Sequence, residues 1–369
     1  MLRAEARVDL NRIRDNVTTL RAGTSAEVMA VVKADGYGHG ILPSARAALA
    51  GGAAWLGTAT FEEALTLRAA GIDTPVLAWL WTVAEYDGLR DAVAAAVDIS
   101  VNSIRQLRLV GAAARETGTT ARVQLKADTG LSRNGAYDAV WADLVREAGE
   151  TEGVEATGVW SHLACADEPG HPSVERQITR YREALAHAEA AGLPVRWRHL
   201  GNSAAALTLP QTHFDLVRAG IGIYGLSPVD GDHGLVPAMT LRATLANVKR
   251  VRAGEGVSYG HTYTTDRETT LALVPLGYGD GIPVHASSKA EVLVHGRRGR
   301  ILGRVCMDQV VVEAPETTEA GEIVVLFGPG TQGEPTADDW ASWCGTINYE
   351  IVTRIGGNAQ RAERRWVEP

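Results

Sequence analysis

The chain has 369 residues, 45% hydrophobic and 22% charged, enough for a sizeable core and, by length, for two domains. A formal net charge of −8 argues against nucleic acid as the main partner, because phosphate recognition wants a basic surface. Cys165, Cys306 and Cys344 make neither a disulfide framework nor a metal-like spacing, and no apolar run reaches the roughly 18–20 residues of a membrane span. The start, MLRAEARVDLNRIRDN, has charge but no secretory h-region, so the expected setting is a reducing cytoplasm and the expected protein an enzyme or a binder.

The first two thirds alternate between short apolar runs and Ala/Leu/Arg helical stretches. Strands are predicted at 28–32, 55–58, 75–81, 97–101, 121–126, 155–162, 195–199 and 214–219. Helices are predicted at 42–50, 61–70, 83–95 and 104–117, with one after the seventh strand too brief to recognise. Eight βα units in about 230 residues predict a closed (β/α)₈ barrel over residues 1–231. An open doubly wound sheet would want a G-x-G-x-x-G first turn, which is absent. Beyond a Pro/Gly/Asp-rich linker at 228–234 the helical period fades. Runs at 241–251, 269–274, 291–294, 300–305, 310–313 and 323–327, then a helix near 346–355, predict a mainly β domain over 232–369.

Barrel chemistry sits at the carboxyl ends of the strands, and those ends are polar here. Strand one runs into Lys33-Ala34-Asp35-Gly36-Tyr37-Gly38-His39-Gly40, strand five into Lys126 and Arg133, and strand six into Ser161-His162. Strand seven ends His199-Leu200-Gly201-Asn202-Ser203, and strand eight Arg218-Ala219-Gly220-Ile221-Gly222. Lys33 follows an apolar run, and a desolvated amine deprotonates readily, as a Schiff-base lysine requires; a lysine snorkelling from a strand end is the blander alternative. The three glycines after it mark tightly bent backbone. Asn202-Ser203 and the Gly220-Ile221-Gly222 turn suit an anion, although Asn202 also reads as a simple helix cap.

The string A-V-V-K-A-D-G-Y-G-H-G around Lys33 resembles the pyridoxal-phosphate attachment motif of bacterial alanine racemases. The resemblance continues in order through K-A-D-T-G-L-S-R, W-S-H-L-A-C-A-D, R-H-L-G-N-S-A-A, R-A-G-I-G-I-Y-G, G-V-S-Y-G, G-R-V-C-M-D-Q and T-I-N-Y-E-I, covering nearly the whole chain. It implies a cytoplasmic homodimer that interconverts L- and D-alanine with pyridoxal 5'-phosphate and supplies D-alanine for the cell wall. It assigns the two proton-transferring groups to Lys33 and to Tyr259 of the partner subunit. His199 and Arg218 would support the phenolate, since a phenol with pKa near 10 is a poor base unaided. Arg218 would also face the cofactor's pyridine nitrogen.

By the same matching, Tyr37, Asn202, Ser203, Gly220, Ile221 and Tyr349 would hold the phosphate, and His162 would lie along the cofactor ring. Arg133, with Met307 of the partner subunit, would take the substrate carboxylate. Lys126, carbamylated in many relatives, would orient Arg133; Asp308 would stand near Tyr259; Cys306 reads as packing. Two positions depart from the family: Gly36 and Gly201 replace a frequent alanine. The stretch 356–361 lacks the usual R-V-P-R-type ending. Ornithine or diaminopimelate decarboxylases share the two-domain plan but place an acidic partner at the pyridine nitrogen. A serine racemase would differ only in pocket size, and a non-catalytic cofactor carrier would leave the second domain's motifs unexplained.

Overall fold

The computed structural model describes residues 3–355 and 362–367, so the unusual stretch 356–361 lies outside the described residues. The chain divides into two units. One comprises Ile13–Gly36 and Ser44–Leu235; the other takes the chain up to Arg12, then Tyr37–Pro43 and everything from Val236. The later unit takes up the chain again at Val236, and the first residues do not join the barrel. Strand β1 (Ala4–Asp9) instead enters a sheet of the second unit. Its buried apolar side chains are Ala4, Ala6 and Val8, alternating with Glu5, which is also buried, and exposed Arg7. Two of those three are alanines, too small to announce a period-two strand beside so much charge.

The first unit carries eight parallel strands: β2 (Glu27–Val31), β3 (Trp55–Thr58), β4 (Val76–Ala78), β5 (Asp98–Val101), β6 (Ala121–Lys126), β7 (Val154–Trp160), β8 (Trp197–His199) and β9 (Leu216–Ala219). Ladders join β9 to β2 and then each neighbour through to β8. No ladder joins β8 to β9 among the described residues. That seam is closed by single bonds: Asp215 N–H to the Arg198 carbonyl at 3.0 Å and Arg218 N–H to the Gly201 carbonyl at 2.9 Å. The Asp215 carboxylate also accepts from Arg198 Nε at 2.7 Å and Nη2 at 2.8 Å. The helix after β8 is Ser203–Thr208, six residues, which is why its period escapes a sequence reading.

Side chains alternating into the barrel divide its interior into two sectors. Met29, Trp55, Leu77 and Leu216 pack with Trp79 and Trp197 as an apolar cluster. Asp98, Gln124, Lys126, Thr157, His199 and Arg218 are buried on β5 to β9. Barrel interiors are usually filled by branched apolar side chains, so a buried polar sector must be hydrogen-bonded throughout to be tolerated.

In the second unit, β1 pairs antiparallel with β10 (Met239–Thr244) and parallel with the last strand, Glu363–Val367. The expected run 241–251 breaks at Leu245-Ala246. Its second half, β11 (Asn247–Val251), pairs in a separate sheet with β14 (Thr269–Val274), after the short hairpin of β12 (Gly256–Val257) and β13 (Tyr263–Thr264). The run expected at 300–305 is shorter and earlier, Arg297–Arg300, with Ile301 bridging to Val312. A helix the sequence reading passed over, Ala337–Cys344, begins at a Thr336/Asp339 capping box. The expected closing helix is Asn348–Ile355.

Candidate active site

Lys33 follows β2, whose pairing continues through Val32 N–H to the Gly57 carbonyl at 2.8 Å. Beyond it the backbone turns left-handed: Ala34, Asp35 and Gly36 have φ of 52, 52 and 63°, and Tyr37 has 51°. Consecutive non-glycine residues in this region cost energy that the surroundings must offset. Glu63 is one such support: its Oε1 accepts the Ala34 N–H at 2.6 Å while Oε2 accepts that of Ala59 at 2.8 Å. Glu63 also closes a capping box with Thr60 at the start of the helix Phe61–Ala69. The T-F-E-E string was the available signal for it. Gly36 sits in the left-handed run, where glycine removes the Cβ penalty.

The amine of Lys33 is half-buried, 5.9 Å from the Trp79 ring centroid. Burial, then the charge of Arg133, holds it below the usual lysine range, against the opposing pull of Glu63. Lys126 is buried more deeply, its Nζ 4.2 Å from the Trp160 ring centroid. Burial and the charges of Arg218 and Arg133 bring its pKa down to about 7. Arg133 itself is exposed. Its loop is organised by Asp128 Oδ1, which accepts the N–H groups of Gly130 and Ser132 at 2.9 and 3.1 Å.

Arg218 is the centre of the polar sector. It is 4% exposed and donates to the carbonyls of Ser161 at 2.8 Å, His199 at 3.1 Å and Leu200 at 3.1 Å. Its Nη1 also reaches His199 Nδ1 at 3.0 Å, and its Nη2 reaches His162 Nδ1 at 2.9 Å. A guanidinium only donates, so both Nδ1 atoms accept and each ring keeps its proton on Nε2. Burial, then the Arg218 charge, holds both imidazoles well below the usual histidine pKa, so both are neutral. Arg218 is lowered by burial to about 10, and stays charged at neutral pH. Among the described residues its Nε–H has no acceptor, leaving one donor for a ring nitrogen.

The two histidines differ in what remains to them. His199 is fully buried, stacked 5.6 Å from Trp160 at 3°, and its Nε2 meets Gln124 Oε1 at 2.7 Å. Both its nitrogens are taken, so it has none left for a phenolate, contrary to the expectation for His199. His162, half-buried, is the imidazole whose Nε2–H can serve there. Sequence reasoning singled out both residues but not which of them has both ring nitrogens engaged. It gave no role to Trp160, which opens the W-S-H-L motif, and passed over Gln124 and Asp98, although R-V-Q-L-K puts Arg122, Gln124 and Lys126 on one face of β6 at period two.

On the next strand ends, Asn202 Oδ1 caps the helix Ser203–Thr208 through the Ala205 N–H at 3.1 Å. Ser203 Oγ accepts from Gly220 N–H at 2.8 Å and Gly222 N–H at 3.2 Å, tying the two expected anion loops together. The Ile221 N–H opens a 3-10 turn and so has no acceptor within that turn. Helix-start and turn N–H groups of this kind form an anion cradle, the donor set a phosphate ester needs. At Gly201 a Cβ would approach Thr212 Oγ1 to 3.2 Å, so glycine fits a tight backbone there rather than a loose one.

In the second unit the Tyr37 and Tyr349 rings stand 6.2 Å apart at 49°. A Cβ at Gly38 would lie 2.4 Å from the Val352 carbonyl oxygen, so that glycine bends around the chain's own helix. Tyr259 is 71% exposed and Met307 53% exposed. Their loops are held together: Ser258 Oγ donates to the Arg304 carbonyl at 2.7 Å and lies 3.4 Å from Cys306 Sγ. Gly279 N–H donates to the Met307 carbonyl at 2.8 Å. Asp308, beside Met307, is exposed.

Comparison with known proteins agrees with this arrangement. Residues 8–228 match the model of the alanine racemase N-terminal domain, and residues 238–363 that of the C-terminal domain. Alanine racemases of Frankia casuarinae and Streptomyces coelicolor are 58% and 56% identical over 99% and 98% of this chain, and over 97% and 96% of their own. The crystal structure of alanine racemase from D-cycloserine producing Streptomyces lavendulae superposes with a TM-score of 0.96 at 53% identity, covering 100% of this chain and 98% of that one. With two domain models matched end to end and relatives of this identity, the chain belongs to the alanine racemase family.

Proposed function

We propose that the protein interconverts L-alanine and D-alanine as a homodimer in the cytoplasm, with pyridoxal 5'-phosphate as cofactor. The observation that carries this reading is the set around Arg218: a buried permanent cation with Nε–H remaining, flanked by two neutral imidazoles. When bound, the cofactor supplies the electron sink that makes the α-hydrogen of an amino acid acidic. Arg218 presents a donor to the pyridine nitrogen and no proton to give up, which favours simple return of the α-proton. A decarboxylase-type acidic partner at this place is absent among the described residues.

Lys33 binds the cofactor through its amine, which burial keeps ready to lose a proton, and moves the α-proton on one face. Tyr259 of the partner subunit moves it on the other, with its phenolate accepting from His162 Nε2–H. Ser203, Gly220 and Ile221 offer the phosphate cradle, Asn202 shapes it, and Tyr37 and Tyr349 add phenols. His162 flanks the cofactor ring. Arg133 and Met307 of the partner subunit take the substrate carboxylate, Lys126 orients Arg133, and Asp308 stands near Tyr259. A Lys126 amine about half deprotonated near pH 7, among three cations, is suited to take up carbon dioxide as a carbamate, whose negative charge would pair with Arg133.

Purified protein should be yellow, and borohydride should fix the cofactor to Lys33, read by peptide mass mapping. Attachment to another lysine would overturn the site. A racemisation assay over a panel of L-amino acids should show alanine as the preferred substrate; preference for serine would transfer the reading to a serine racemase.

A further inference from the structure

We infer that Asp98 and Gln124 are positioning residues for Arg218, acting through His199 by a hydrogen-bond chain that runs inside the barrel. The chain is set from both ends. At one end Arg218 can only donate, and it faces His199 Nδ1 at 3.0 Å. At the other the Asp98 carboxylate accepts from Gln124 Nε2 at 3.1 Å, from Thr157 Oγ1 at 3.2 Å and from Arg122 Nε at 2.7 Å. Because the Gln124 amide nitrogen turns toward Asp98, its oxygen faces His199 Nε2 at 2.7 Å and requires a proton there. Every member is 9% exposed or less except Arg122, which is outermost and half-buried. Water therefore does not substitute for a mispaired group, and a reversed amide would leave two donors facing each other. The inference rests on the reading of Arg218 as the group facing the cofactor's ring nitrogen.

The test is isosteric. In Asp98→Asn the Arg122 donor still demands an oxygen, so the new amide nitrogen must face Gln124. Gln124 then turns over and presents its NH₂ group to His199 Nε2. The His199 proton must move to Nδ1, against Arg218. The double variant Asp98→Asn/Gln124→Glu restores an acceptor to His199 and keeps the total charge.

Full-length protein carrying ¹⁵N-histidine, purified with its cofactor, reports the tautomer by NMR. Expected are Nε2–H in the wild type, Nδ1–H in Asp98→Asn with kcat/KM lower by at least about tenfold, and recovery of both in the double variant. A wild-type His199 protonated on Nδ1 overturns the proposal without any variant. So does an Asp98→Asn protein that keeps Nε2–H, whether active or not, or a double variant that recovers neither property. Should the tautomers behave as expected in a protein that does not racemise alanine, the chain stands and the functional reading fails.

Discussion

Lys126 shares its surroundings with Arg133, Arg218 and Lys33, and only Asp128 counters them. Its pKa falls from an ordinary 10.5 to about 7, which gives stability a definite pH dependence. Between those values the unfolded chain binds a proton that the folded chain does not, so this residue's share of stability rises with pH through that window. Below about 7 both states are protonated and the slope vanishes. Urea unfolding of Lys126→Met at pH 7 to 9, in buffer freed of carbon dioxide, should show a shallower rise with pH than the wild type. Equal slopes would mean that the amine stays charged. At this scale the motifs made Lys33, Lys126, Arg133 and Arg218 legible, because each stands at or soon after a strand end and within four residues of a glycine. Gln124 and Asp98 were not, because their partners are 24 to 75 residues away and only the closed barrel brings them together; Glu63 showed its local capping box but not its bond to Ala34, 29 residues away.

The left-handed turn after Lys33 is supported on two sides, and each side is separately testable. Glu63→Ala removes the acceptor for Ala34 N–H and one half of a capping box, costing about 1 kcal/mol in stability. It also removes the carboxylate that raises the Lys33 pKa, so the pH at which half the Lys33 amine is deprotonated should fall. A higher value would contradict the arrangement. Gly38→Ala places a Cβ 2.4 Å from the Val352 carbonyl oxygen at φ +83° and should destabilise by at least about 2 kcal/mol in thermal or urea unfolding. The eight barrel strands and their longer helices were readable because apolar runs and helical periods were strong. The six-residue helix and the alanine-based β1 were not, since neither spans enough period to declare itself. The second unit's strands were found but misdivided where a chain crosses between sheets at Leu245-Ala246, with no glycine or proline to mark it.

At the scale of the molecule, the proposed site needs both halves of the sequence and, by resemblance, two copies of it. Lys33→Ala and Tyr259→Phe should each abolish most alanine racemisation. Mixed and allowed to exchange subunits, they should recover about a quarter of wild-type activity, since half the dimers are hybrids and each hybrid has one intact site. No recovery, with exchange proven by mass spectrometry, would place both groups of a site in one chain. The polar interior of the barrel was the least legible feature at this scale. A strand sequence such as A-R-V-Q-L-K reads as half-exposed until closure shows that its polar face points inward.

The seam between β8 and β9 carries a consequence for how relatives of this chain should be compared. Arg218 binds three carbonyls on β7 and β8 and their ends while standing on β9, so it fastens the barrel at the junction where no ladder forms among the described residues. A descendant that gave up racemisation would still be selected to retain this guanidinium, merely to stay folded. Its presence in a distant homologue is therefore poor evidence of activity. Tyr259, 71% exposed, has no such place in the barrel interior, so its loss is the one that would first record a change of occupation.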